Sequence, residues 1–260
     1  MFAHERQDKI FAMINNNGAV VTSELVSIFG VSIETIRRDL LTMEQAGQLL
    51  RVHGGAVSKN GVKPFYNLDE RMEQFDSGKK NLAQKAAELV EEGDIIGIDS
   101  GSTAAAFAEV LKTKFTNLTV ITHSMDVFNI LSSQFSVILC GGQYMQKENA
   151  FYGSLTLNML EHLHIQKSFI CPTAVSLEYG IFDYQHDLYQ IQKAMMKISE
   201  KSIILADSSK FEKTALLKLD DMKNDFDYVT DCDIPEKLIE LYKKNDIKIH
   251  IGKSQGGHSK

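Results

Sequence analysis

From residue 80 to residue 251, short apolar runs alternate with stretches of helical period, and few folds admit that alternation. The runs at 95–99, 118–122, 137–140, 168–171, 202–206, 228–230 and 247–251 have the length of buried strands. Around them, residues 80–92, 102–114, 124–132, 154–163, 187–199 and 235–244 carry apolar side chains at helical spacing. Strands alternating with helices pack as a mostly parallel sheet with helices laid on it. In such a sheet a ligand binds outside the carboxyl ends of the strands.

Four of those ends are small and polar. Asp99-Ser100-Gly101-Ser102-Thr103 follows the first run and opens a helix, and Thr122-His123-Ser124 follows the second. Gly141-Gly142 closes the third, and Asp207-Ser208-Ser209-Lys210 closes the fifth. Hydroxyls and free amides at helix N-termini suit phosphate. Lys210 offers a point charge, and Asp99 or Asp207 can accept from sugar hydroxyls. Each loop taken singly is equally a plain helix cap, but four together point to a small anionic ligand. No Gly-x-x-x-x-Gly-Lys or Gly-x-Gly-x-x-Gly run marks a nucleotide cofactor.

The first 58 residues read differently. Ile10, Met13 and Ile14 fall on one helical face before Asn15-Asn16-Asn17-Gly18 stops the helix. Thr22 or Ser23 caps a second helix with Leu25, Val26 and Phe29, which ends at Gly30. Ser32 then caps a third, whose Ile33, Ile36, Leu40 and Met43 form an apolar stripe. This is a helix-turn-helix. Residues 48–58 switch to a strand-like pattern, with Leu50, Val52 and Val57 around Arg51, His53 and Gly54-Gly55, as a hairpin wing would.

A helix in the major groove reads bases near its N-terminus and holds phosphates through arginine and backbone amides. The expected DNA contacts are Ser32, Glu34, Thr35, Arg37 and Arg38 on the third helix, and Arg51, His53 and Gly54 on the wing. Asp39 is expected to orient an arginine, since DNA would repel it. Charge does not suggest DNA by itself: the chain has 28 Lys+Arg against 34 Asp+Glu, and residues 1–58 hold five basic and six acidic side chains. A three-helix protein-interaction module, with Arg37-Arg38-Asp39 as a solvated charge run, uses the same spacing.

Three cysteines, odd in number and far apart, argue against a disulfide scaffold or a cysteine metal site, and for a reducing compartment. His162-x-His164 does not converge on a metal if it is helical. The charged start has no signal core, and no apolar run approaches the roughly 18 residues of a membrane span. The expectation is a cytoplasmic protein with no membrane association, cofactor, metal or catalytic constellation.

Arg6, Ile10 and Ile14, the run Ser32-Ile33-Glu34-Thr35-Ile36-Arg37-Arg38-Asp39-Leu40 and the wing Leu50-Arg51-Val52-His53-Gly54-Gly55-Ala56 are together similar to the signature of the DeoR family of sugar-metabolism repressors. Asp99 to Thr103, Gly141-Gly142, Gly153 and the run 205–211 resemble that family's sensor domain. The resemblance implies a sensor with the ribose-phosphate isomerase fold that detects a phosphorylated sugar, and a repressor that leaves its operator when the effector accumulates. The sequence departs from the family's pattern in places. His123 stands for an asparagine, Pro172-Thr173-Ala174 for Ala-Asp-Gly, and Ile181-Phe182 for Leu-Thr. Leu188 and Gln192-Lys193 stand where a Glu-x-x-x-Lys-Arg helix is usual. An acid at Thr173 and a base at Gln192 are thus missing, and with them a possible ion pair near the pocket.

These readings combine into two domains: a winged helix-turn-helix at 1–57, a linker at 58–76, an α/β effector-sensing and oligomerising domain at 77–250, and a flexible tail at 251–260. The expected partners are double-stranded operator DNA, a small phosphorylated sugar bound by the Asp99, Thr122, Gly141 and Lys210 loops, and further copies of the chain in a dimer or tetramer. Two other readings keep the same fold: a sugar-phosphate isomerase with an accessory DNA-binding module, and a repressor whose sensor no longer binds a small molecule.

Overall fold

The computed structural model describes residues 3–17, 19–52, 54–58, 68–73 and 76–253. The chain begins with α1 (Ala3–Asn17), β1 (Ala19–Val21), α2 (Thr22–Phe29), α3 (Ile33–Gln45), β2 (Leu49–Val52) and β3 (Gly55–Ser58). Ile10, Ile14, Leu25, Ile36, Leu40 and Met43 turn inward from the three helices, and Val20, Leu49 and Ala56 close the core beneath them. Helical spacing places such residues on one face, so burying the stripe orients each helix. The strands form a small antiparallel sheet in the order β1-β3-β2. β1 was not expected, since three residues are too short to show a period.

Two details differ from the sequence reading. Ile33 belongs to the stripe by spacing but is 43% exposed, because it stands on the first turn of α3, where no core residue faces it. On the wing only Leu49 of β2 is buried, while Leu50, Arg51 and Val52 are all exposed.

After α4 (Leu68–Glu73) and α5 (Asp76–Ala86), the second domain runs through β4 (Ile95–Ile98), α6 (Ser102–Lys114), β5 (Thr119–Thr122), α7 (Met125–Leu131) and β6 (Ser136–Leu139). The hairpin β7 (Gln143–Met145) and β8 (Ala150–Tyr152) follows, then α8 (Ser154–Glu161), β9 (Ile165–Ile170), β10 (Ala174–Ser176) and β11 (Gly180–Asp183). The rest is α9 (His186–Lys197), β12 (Ser199–Leu205), β13 (Leu217–Asp220), β14 (Asp227–Thr230), α10 (Glu236–Lys244) and β15 (Lys248–Ile251). The main sheet has seven strands in the order β15-β14-β12-β9-β4-β5-β6, with every neighbour parallel. All seven expected strands are in it.

Alternate side chains of these strands feed two cores. Ile96, Ile98, Ile203 and Leu205 pack with Leu82 of α5, Phe107 of α6 and Val127 of α7. Ile165, Ile170, Ile204 and Ala206 pack with Leu160 of α8, Ile191 of α9 and Tyr242 of α10. The sheet is thus covered on both faces, as a parallel sheet requires. A second, antiparallel sheet, β10-β11-β13, was not foreseen. Its first two strands are buried along their whole length, so they show no alternation to read.

Residues 251–253, expected in the tail, are held by the second domain instead. β15 reaches Ile251, the Gly252 N–H donates to the Thr230 carbonyl at 2.9 Å, and Asn81 holds the Lys253 carbonyl. Residues 254–260, and with them most of the expected tail, lie outside the described residues, as do 59–67 and 74–75 of the expected linker.

At the sheet edge Asp227 is buried among Lys201, Lys248 at 2.9 Å and His250 at 3.0 Å. Burial would raise its pKa, but hydrogen bonds from Lys201, His250 and Lys248 outweigh that and hold it at about 2, below its ordinary 3.8. A carboxylate depressed in this way stabilises the fold above its unfolded pKa and ceases to do so as pH falls through the folded value. We expect Asp227→Asn to lose about 2 kcal/mol in urea denaturation at neutral pH, with the gap to wild type closing as the pH is lowered from 3.8 to about 2.

Candidate nucleic-acid interface and effector site

α3 is fixed at its start by a cap and in its middle by a buried ion pair. The Ser32 hydroxyl accepts the Thr35 N–H at 3.2 Å, and Gly30 ends α2 in the left-handed region at φ 62°. One turn further on, Asp39 is 4% exposed and accepts from Arg6 Nε at 2.5 Å and Gln7 Nε2 at 3.1 Å. The acid expected to orient an arginine therefore serves Arg6 of α1 and neither neighbour on its own helix. With Asp39 turned inward, Ser32, Glu34, Arg37 and Arg38 form an exposed face, with Thr35 half-buried beside them. Arg37 Nη1 donates to Glu34 Oε1 at 2.7 Å, an exposed pair of small energetic weight.

On the wing, the Arg51 N–H donates to Glu44 Oε1 at 2.8 Å, which ties β2 to the end of α3. Gly54 holds φ +89°, and its carbonyl accepts the Thr22 N–H at 2.8 Å. A Cβ on Gly55 would meet the Val20 carbonyl oxygen at 2.0 Å, so the close approach this glycine permits is to β1 of its own sheet. His53 lies outside the described residues.

In the main sheet the strand order reverses between β4 and β9, the position where open α/β sheets bind ligands. Asp99 stands there, 1% exposed, just past the end of β4. Its Oδ1 accepts the Ser100 N–H at 2.8 Å and faces His123 Nε2 at 3.2 Å. Its Oδ2 accepts the Cys171 N–H and Gln192 Nε2, both at 2.9 Å. His123 Nδ1 lies 2.9 Å from the Phe151 carbonyl, so the ring spans from the end of β4 to the hairpin strand β8. Gln192 Nε2 also donates to Asp183 Oδ2 at 3.0 Å, so one neutral amide links two buried carboxylates. Burial raises the Asp183 pKa. Burial, with the Asp99 and Asp183 charges, pushes the Cys171 thiol well up, which argues against a nucleophilic thiolate.

The expected effector residues divide into two groups. Asp99, Ser100, Gly101, Ser102 and Thr103 gather at the start of α6, with Thr122, His123 and Ser124 on the adjoining strand end. Thr122 Oγ1 donates to the Ile98 carbonyl, and Ser124 caps α7 through the Val127 N–H. Gly141 and Gly142 sit past the edge strand β6, where a Cβ on Gly142 would meet Thr156 Oγ1 at 2.2 Å. The Gly141 carbonyl accepts from that same hydroxyl at 3.0 Å, so this pair serves the packing of α8. Lys210 ends a short 3-10 turn beyond β12, and no hydrogen bond or ion pair among the described residues joins it to the Asp99 group.

Four members of the cluster are not among the expected effector residues. Asp183, Gln192 and Glu148 are 4%, 2% and 1% exposed, and Arg71 of α4 reaches Glu148 Oε2 at 2.5 Å. Gln192 stood out as a departure from the family's pattern, but nothing local signalled the other three. Gln192 Oε1 and Glu148 Oε1 are buried acceptors with no partner among the described residues. Burial raises the Glu148 pKa, against the lowering influence of Arg71. A cleft of about 400 Å³ is lined by Leu68, Met72, Asp126, Tyr144, Gln146, Lys147 and Asn149. His162 and His164 do not converge: His162 Nδ1 lies 2.8 Å from the Asn158 carbonyl, and exposed His164 meets Glu200. No group of three His, Cys, Asp or Glu that could hold a metal occurs among the described residues, and no helix there is long and apolar enough to cross a membrane.

Residues 6–62 match the DeoR-like helix-turn-helix domain, and residues 74–232 match the DeoR C-terminal sensor domain. The chain is 34% identical over 245 residues to the L-fucose operon activator of Haemophilus influenzae, covering 93% of this chain and 97% of that protein. It is also 34% identical over 253 residues to the lactose phosphotransferase system repressor of Streptococcus mutans, covering 95% and 99%. Among solved structures, ribose 5-phosphate isomerase A of Methanocaldococcus jannaschii aligns at a TM-score of 0.39 and 19% identity, over 53% of this chain and 55% of that one.

Removing one partner of a buried ion pair leaves the other charge uncompensated, whereas an exposed pair can be broken cheaply. Asp39→Ala is therefore expected to cost about 3–5 kcal/mol in urea denaturation. Glu34→Ala, which breaks only the Arg37 pair, is expected to cost below ~1 kcal/mol.

Proposed function

Because the chain belongs to the DeoR family of transcriptional regulators, we propose that it represses a sugar-catabolic operon and releases its operator when a phosphorylated sugar binds the second domain. One observation carries the reading. The inner face of α3 is locked to α1 by the Arg6–Asp39 pair, while the outer face offers Ser32, Glu34, Arg37 and Arg38 to solvent. A rigid helix with an open polar N-terminal half is what major-groove readout needs. Glu34 and Thr35 suit cytosine amino groups and thymine methyls, and Arg38 lies one turn on along the same face. Arg37 can give up its exposed Glu34 pair for a backbone phosphate at small cost. Arg51, His53 and Gly54 extend the contact from the wing.

For the effector, the two partnerless acceptors, Gln192 Oε1 and Glu148 Oε1, suit the hydroxyl donors of a sugar, and the hydroxyl-rich start of α6 suits its phosphate. Ser100, Gly101, Ser102, Thr103, Thr122, His123 and Ser124 belong to this site. Gly141, Gly142 and Lys210 join it only if the loops past β6 and β12 close inward. The relatives named for L-fucose and lactose operons fit a sugar-responsive role. The protein acts by binding and without turnover, in the cytoplasm, where free thiols such as Cys140, Cys171 and Cys232 persist. With five basic and six acidic side chains in residues 1–58, one reading head has no net positive charge and binds weakly, so the chain works as a homo-oligomer on repeated half-sites.

Selection of operator sites from random duplexes, followed by mobility shifts, tests the DNA half. Arg38→Ala should weaken binding and relax base preference, with about 1–3 kcal/mol lost at the position it reads. Arg37→Ala should weaken all sequences evenly, and no effect from either would refute the role of α3. A melting screen against sugar monophosphates tests the effector half: a ligand at 100 times its Kd adds about 2.7 kcal/mol. A flat screen would overturn that half and leave DNA binding standing. Light scattering that gave a tightly binding monomer would rule out the oligomer.

A further inference from the structure

Arg71 is carried by α4, which lies in sequence between the last wing strand and the body of the second domain. Its guanidinium nonetheless sits among the strand ends. Nη2 meets Glu148 Oε2 at 2.5 Å, and Nη1 lies 3.6 Å from the point where a Cβ on Gly101 would stand. Gly101 is the N-cap of α6, so one cation covers a helix N-terminus of thirteen residues and a carboxylate that is almost fully buried. The other Glu148 oxygen has no partner among the described residues, so the protein serves this carboxylate poorly. Buried Lys79 donates to the Arg71 carbonyl and holds the end of α4 in place. A cleft is lined by neighbours of the pair in sequence, Leu68 and Met72 from α4 and Gln146, Lys147 and Asn149 around Glu148, but by neither member of it.

We propose that Arg71 is the anion-holding side chain of the effector site, and that Glu148 stands in the place taken by the phosphate of a sugar monophosphate. The inference rests on the effector reading above and adds the residue that reports binding. A phosphate offers three acceptor oxygens to a guanidinium and to the free amides at the start of α6, where Glu148 offers one. Exchange of partners moves the charge that anchors α4, and α4 is the segment that leads in sequence to the DNA-binding domain. Glu148, released, can accept a sugar hydroxyl with either oxygen.

The test is isothermal titration of the full chain with hexose and pentose monophosphates, with the matching free sugars and inorganic phosphate as separate arms. Arg71→Ala should weaken the sugar phosphate that wild type binds by about tenfold or more, the weight of a charge-assisted bond. Glu148→Gln should tighten it, by up to about tenfold, because Arg71 no longer has to be freed. A purely architectural role for the pair predicts the opposite sign for Glu148→Gln, and that conservative variant remains informative even if Arg71→Ala fails to fold. Unchanged affinity in Arg71→Ala, or weaker affinity in Glu148→Gln, would overturn the assignment while leaving the effector reading intact. A wild type that binds no sugar monophosphate would overturn both. Hydrogen exchange at residues 68–73 should change with the bound sugar phosphate and stay constant with the free sugar.

Discussion

A carboxylate cut off from water must receive every hydrogen bond from the protein, and Asp99 is the group on which the second domain converges. Four donors meet it: the amide next to it, an amide beyond β9, the ring of His123 beyond β5, and the side chain of Gln192 on α9. Each comes from a different part of the fold, so this buried charge requires β4, β5, β9 and α9 to close together in one register. Leaving any of these bonds unmade would expose the desolvation cost of a buried ion. The strand-end site is therefore tied to the folded arrangement of the whole sheet.

The DNA-binding domain applies the same constraint on a smaller scale. Its nine-residue core turns the apolar face of each of three helices inward. The Arg6–Asp39 pair adds a directional constraint between α1 and α3, because both groups are buried and each depends on the other. Turning Asp39 inward turns Arg37 and Arg38 outward, so a structural ion pair sets which charges the helix presents. The domain thus presents Arg37 and Arg38 together on the outer face of α3 without any basic excess.

Much of this organisation is legible in the residues, and the exceptions have physical causes. The three N-terminal helices and the seven strands of the main sheet follow from apolar spacing, because burial and period are the same fact seen twice. Strands β1, β7, β8 and β10 have three residues each, too few for a period. The packing roles of two glycines were not evident either: Gly55 faces β1 and Gly142 faces α8, partners that only the fold brings in. The departure at Gln192 suggested a lost ion pair. The folded chain instead uses the neutral amide to bridge Asp99 and Asp183, while His123 faces the other oxygen of Asp99.

By itself the sequence determined the helix-turn-helix and the parallel sheet that follows it, since each is written in local period and in residues that cap or break it. Only the tertiary structure decided which polar groups meet at the strand ends. Asp99, His123, Glu148, Asp183, Gln192 and Arg71 span more than a hundred positions, and no local pattern links them. They meet because the order of a parallel sheet reverses between β4 and β9, and because charges buried at that point must find their partners wherever the chain can deliver them.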